Sequence, residues 1–122
     1  MFKINDDMSI YATRGDSIAF SLTVDASGVP YKFKDGDIVR FKVFEKKEVK
    51  AVVLEKEFAT EVGADKVSIT LTGEDTKIGE YINKPKDYWY EIELNPITMP
   101  QTIVGYDEAG PKVFRLFPEG GE

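Results

Sequence analysis

Asp87-Tyr88-Trp89-Tyr90-Glu91-Ile92-Glu93-Leu94 alternates without a break. Tyr88, Tyr90, Ile92 and Leu94 share one parity, and Trp89, Glu91 and Glu93 share the other. Successive side chains of a strand point to opposite faces, so this stretch is predicted to bury the first set and turn Trp89 outward. No segment of the chain carries the stripe of an amphipathic helix.

The same period recurs on either side. In Ile38–Glu45, Val39, Phe41 and Val43 take one face, and Ile38, Arg40, Lys42 and Phe44 take the other. Ser17–Val24 presents Ile18, Phe20, Leu22 and Val24 to one side, and Lys66–Thr72 presents Val67, Ile69 and Leu71. Ala51–Phe58 is expected to turn Val52, Leu54 and Phe58 inward. Ser9–Thr13 is predicted as the first strand. Gln101–Tyr106 and Lys112–Phe117 are predicted to close the fold as a hairpin around Asp107-Glu108-Ala109-Gly110-Pro111. Asp35-Gly36-Asp37 and Gly63-Ala64-Asp65 are turn signals, and Gly73–Gly79 reads as one capped helical turn. About eight short strands and one short helical turn predict an all-β fold, an immunoglobulin-like antiparallel β-sandwich. The 122 residues suit a single domain spanning 1–122, with 118–122 expected to fray.

Composition narrows the chemistry. The chain has neither histidine nor cysteine. The usual acid–base residue at neutral pH is missing, as are the thiolate nucleophile and the commonest zinc ligands, so no catalytic residue, cofactor or metal is expected. A net charge of −6 opposes phosphate binding, so nucleic acid is not an expected partner. No apolar run approaches the roughly 18 residues of a membrane span. The start, Met-Phe-Lys-Ile-Asn-Asp-Asp, lacks a signal-peptide layout, which predicts synthesis in, and initial retention by, a cytoplasm.

Three local motifs have ordinary explanations. Arg14-Gly15-Asp16 spells an adhesion tripeptide, but it falls between two predicted strands, where a turn needs those residues. Asp6-Asp7, Asp35-Gly36-Asp37 and Glu74-Asp75 lack the ligand spacing of a calcium loop. Glu91 and Glu93 lie on an outward face rather than flanking a cleft, as a glycosidase pair would.

Pairing of the Asp87–Leu94 strand with Ile38–Glu45 would set Arg40 and Lys42 beside Glu91 and Glu93, and Trp89 near Phe44 or Ile38. With Val113, Arg115 and Phe117 outward on the last strand, one sheet face would carry Trp89, Phe44, Ile38, Val113 and Phe117. Arg40 and Glu91 would be interleaved among them. Aromatic residues and arginine on an outer face mark an interface, so this set is the candidate interaction site. A terminal segment folded over the same face is the alternative. A sugar platform of Trp89, Tyr88 and Tyr90 is a rival use of the aromatic residues.

The order of the motifs resembles a phage family. Ile10-Tyr11-Ala12-Thr13-Arg14-Gly15-Asp16-Ser17 is similar to the opening of the N-terminal immunoglobulin-like domains of baseplate upper proteins and their small stand-alone prophage relatives. Gly36-Asp37-Ile38-Val39-Arg40-Phe41-Lys42-Val43, Leu71-Thr72-Gly73-Glu74-Asp75-Thr76 and Tyr88–Leu94 follow in the family's order. Gln101–Asp107 and Gly110-Pro111-Lys112 resemble the ending of the stand-alone relatives. The resemblance implies a non-enzymatic structural component of a phage or prophage particle, tail- or baseplate-associated. Such a component would be made in the bacterial cytoplasm and assembled into the virion. Its partners would be other particle proteins, and it could form a homo-oligomer.

Overall fold

A computed structural model describes residues 2–26, 28–45, 51–95, 101–105 and 112–119. Its strands are β1 (Phe2–Ile4), β2 (Ile10–Thr13), β3 (Ile18–Thr23), β4 (Asp25–Ala26), β5 (Val29–Pro30), β6 (Ile38–Phe44), β7 (Val52–Ala59), β8 (Lys66–Leu71), β9 (Lys86–Leu94), β10 (Gln101–Val104) and β11 (Lys112–Phe117). The single helical turn among the described residues is α1 (Gly73–Thr76). The all-β class is as predicted, with eleven strands rather than about eight. The extra ones are short pieces such as β1, β4 and β5.

The large sheet runs β1-β2-β11-β9-β6-β7, with β10 also on β9, and β3 pairs with β8 in a second sheet. One core joins the two sheets. Val39, Phe41 and Val43 of β6 are buried with Tyr88, Tyr90, Ile92 and Leu94 of β9, and with Val67, Ile69 and Leu71 of β8. Phe41 lies at its centre, stacked on Tyr90 with centroids 5.5 Å apart and edge-on to Phe114 at 6.1 Å.

Four expectations are corrected. Phe20 and Leu22 face inward but are only half-buried, because the narrow second sheet ends at β3. Val52 is 49% exposed, since the β6–β7 register shifts between Val43 and Phe44 and β7 is an edge strand. The chain adds a strand, β1, ahead of the predicted first one. The closing hairpin does not form.

Instead, β10 and β11 both run antiparallel to β9 along the same edge. Val104 stands opposite Ile92 and Lys112 opposite Tyr90, so eight steps of chain face two. They are two halves of an interrupted strand. Gly105 marks the exit: a Cβ there would meet the Thr102 methyl at 2.6 Å. The intervening residues 106–111, where the hairpin turn was expected, lie outside the described residues.

Two polar clusters pin the ends. At one, the Asp37 carboxylate is nearly buried and accepts from Tyr31 Oη at 2.8 Å, Lys34 N at 2.9 Å and Asn95 Nδ2 at 2.8 Å. The Thr60 hydroxyl donates to the Asp37 carbonyl at 2.8 Å. At the other, Arg14 donates to the carbonyls of Ile78 and Gly79 and to Glu119, at 3.2, 2.6 and 2.7 Å. Gly15, at φ +91°, donates its N–H to the buried Thr76 hydroxyl, which itself donates to the Asp16 carbonyl. The Arg-Gly-Asp tripeptide is thus a structural turn, as its position predicted. Its arginine also holds Glu119, inside the segment expected to fray; residues 120–122 lie outside the described set.

Candidate interaction face

The outer face of β11, β9 and β6 follows from the strand parity. Cα partners are Lys42 with Glu91, Arg40 with Glu93, and Phe44 with Trp89 across β6–β9; Val113 pairs with Trp89 across β11–β9. Phe44, Trp89 and Val113 therefore form one apolar row over three adjacent strands. Phe44 is only 4% exposed, yet it lies outside the main core cluster. Trp89 and Val113 are half-buried.

Charged pairs flank the row. Lys42 Nζ lies 2.8 Å from Glu93 Oε1, an ion pair whose geometry is off the line of a hydrogen bond. Arg40 turns to β7, donating to Glu57 at 3.1 Å and approaching Glu55 at 3.7 Å. The Lys42–Glu93 pair crosses diagonally between strands rather than directly, and such pairs contribute about 0.2–1 kcal/mol each.

On the other side of the row, Asp87 grips Arg115 through two oxygens, at 2.5 and 3.2 Å. This hydrogen bonding raises the Arg115 pKa above its ordinary value, against the opposing effect of burial. The guanidinium lies 5.0 Å over the Tyr11 ring, and Phe117 packs edge-on against the same ring at 5.5 Å.

No protein-family model, curated protein or solved structure matches the chain. The face is therefore read from its own chemistry.

Of the predicted residues, Trp89, Phe44 and Val113 come together, with Glu91 next along β9. Arg40 lies farther along β6. Ile38 does not join them. It sits six residues from Phe44 on the same strand, about 20 Å away at ordinary strand rise, and its backbone pairs with Asn95. Phe117 belongs to the separate Tyr11–Arg115 cluster. Tyr88 and Tyr90 are buried on the opposite face, so they cannot share a sugar platform with Trp89. Sequence reading missed Tyr11, whose place beside Arg115 depends on the parallel pairing of β2 with β11. Among the described residues no group of three or more acidic side chains could hold a metal ion.

Proposed function

We propose that this chain is a non-catalytic structural component of a phage or prophage particle, tail- or baseplate-associated. It acts by self-association and by docking a neighbouring particle protein through the face around Trp89. The observation that carries the docking reading is the half-buried pair Trp89 and Val113, packed beside the buried Phe44. It is an aromatic and aliphatic centre flanked by charges that already have partners within the chain. Protein interfaces favour this arrangement of apolar centre and polar rim, because the centre gains from desolvation while the rim need not be stripped of water. The particle assignment is supported by the order of motifs from Ile10–Ser17 to Gly110–Lys112.

Trp89→Ala tests the docking surface. An interface anchor of this kind contributes about 2 kcal/mol or more, so incorporation into particles should weaken roughly 30-fold. Because Trp89 is half-buried outside the core, the free chain should lose only about 1–2 kcal/mol of stability. Competition between wild-type and variant chains for incorporation, beside a urea titration of each, reads both quantities. Unchanged incorporation would remove Trp89 from the docking surface.

A further inference from the structure

The two sheets do not close completely along one side. Phe2 and Ile4 pair with Ala12 and Ile10, both buried, so they face the core side of the large sheet. Yet Phe2 is 38% and Ile4 39% exposed. Across from them, Phe20 and Leu22 of β3 point inward and are half-buried, whereas their β8 partners Ile69 and Val67 are buried. Phe2 stacks on Phe20 with centroids 5.9 Å apart. The result is an apolar seam between β1 and β3. Among the described residues β3 hydrogen-bonds to β8 alone, which leaves a six-residue strand edge beside that seam.

This edge lacks the usual safeguards against pairing. Soluble proteins protect free edges with lysines, prolines, bulges or inward charges. Ser17-Ile18-Ala19-Phe20-Ser21-Leu22-Thr23-Val24 has none of these, and its register with β8 is unbroken. Of the other long edges among the described residues, β7 carries Glu55-Lys56-Glu57 and faces a register shift, and the second edge of β8 starts on Lys66 and lies near β7.

We propose that two copies of this chain pair antiparallel through β3, joining their two-stranded sheets into one four-stranded layer and closing both seams. The inference specifies the surface for the self-association in the preceding reading. A two-fold axis perpendicular to the sheet preserves each residue's face, so the axis, midway between the two strands, must lie level with a residue that opposes its own copy. Centred on Phe20, it sets Ile18 against the second copy's Leu22 and Ala19 against Ser21. Centred on Ser21, it sets Phe20 against Leu22 and Ala19 against Thr23. Neither register opposes like charges. The same operation on β7 centred on Lys56 would place Lys56 against Lys56 and Glu55 against Glu57, and centred on Glu55 or Glu57 it would set that glutamate against its own copy. A second copy therefore fits β3 in a way that it does not fit β7.

Ser21 is exposed on the outward face, which makes it a suitable probe. Its two copies would be directly opposed in one register and diagonal, about 7–8 Å apart, in the other. Sedimentation velocity of the purified chain over a concentration series should show a dimer. Ser21→Lys and Ser21→Glu should each weaken it at least about tenfold through like-charge repulsion, with unchanged circular dichroism. An equimolar mixture of the two variants should recover the dimer. Ser21→Ala should dimerise like the wild type. A wild-type monomer at every concentration would overturn the proposal. So would a Ser21→Lys dimer of undiminished affinity, or a mixture that stays monomeric. These outcomes are read in solution, separately from particle incorporation, so failure here leaves the docking reading to its own test.

Discussion

Phe41→Ala should lower the unfolding free energy by about 3–5 kcal/mol, the usual range for truncating a buried aromatic residue. Phe41 has no exposed surface. Its ring contacts Tyr90 and Phe114 from two different strands, and such aromatic pairs add roughly 0.5–1.5 kcal/mol beyond area burial. Its strand, β6, is paired on both sides, by β7 and β9, so the backbone cannot easily collapse into the space left behind. Urea unfolding should show a lowered midpoint with an unchanged slope. A loss below about 1 kcal/mol would mean that the two sheets do not meet around this ring.

The second large effect is expected at Asp37. Its carboxylate accepts three hydrogen bonds, from Tyr31, Lys34 and Asn95. Asp37→Ala leaves all three donors without that acceptor. Each fully buried orphan would cost about 1–3 kcal/mol; water can reach part of this end, so about 2–4 kcal/mol in total is expected.

The pH dependence supplies an independent check. Burial alone would raise the carboxyl pKa. The Lys34 N–H, the Asn95 amide and the Tyr31 hydroxyl outweigh it and hold the group below the usual carboxylate value. A folded-state pKa below the unfolded one gives stability that is fully present above the unfolded value. It is lost as pH falls through the folded one. The stability gap between wild type and Asp37→Ala should therefore be widest near neutrality and narrow in acid. A gap independent of pH would show that the carboxylate's charge is not what holds this end together.

Strand faces were legible because a period of two assigns every side chain once the pattern is found. The outward parity of Trp89 and Phe44 followed from alternation, whereas their β6–β9 pairing followed from the strand order of an immunoglobulin-like sheet. The extent of burial did not. Phe20 and Leu22 have inward parity, but their cover depends on how far the facing sheet reaches, which no local pattern records. Likewise, the alternation in Gln101–Val104 and Lys112–Phe117 defines two strands without naming their neighbour, and both chose β9 over each other. Asp37 and Arg14 were recognisable as turn residues. Their partners Asn95 and Glu119 lie 58 and 105 positions away, beyond any local signal. The Trp89 face is smaller than parity suggested, because Ile38 and Phe117 fall at its far corners rather than within the row.

The central claim is that this chain is a built-in part of a particle. Quantitative mass spectrometry of particles purified from an induced host tests it most directly. The account predicts the chain at a fixed ratio to the major tail proteins through successive density gradients, with the Trp89→Ala chain depleted from the same fractions. Recovery of the wild-type chain solely in the soluble fraction, with intact particles that lack it, would contradict the account.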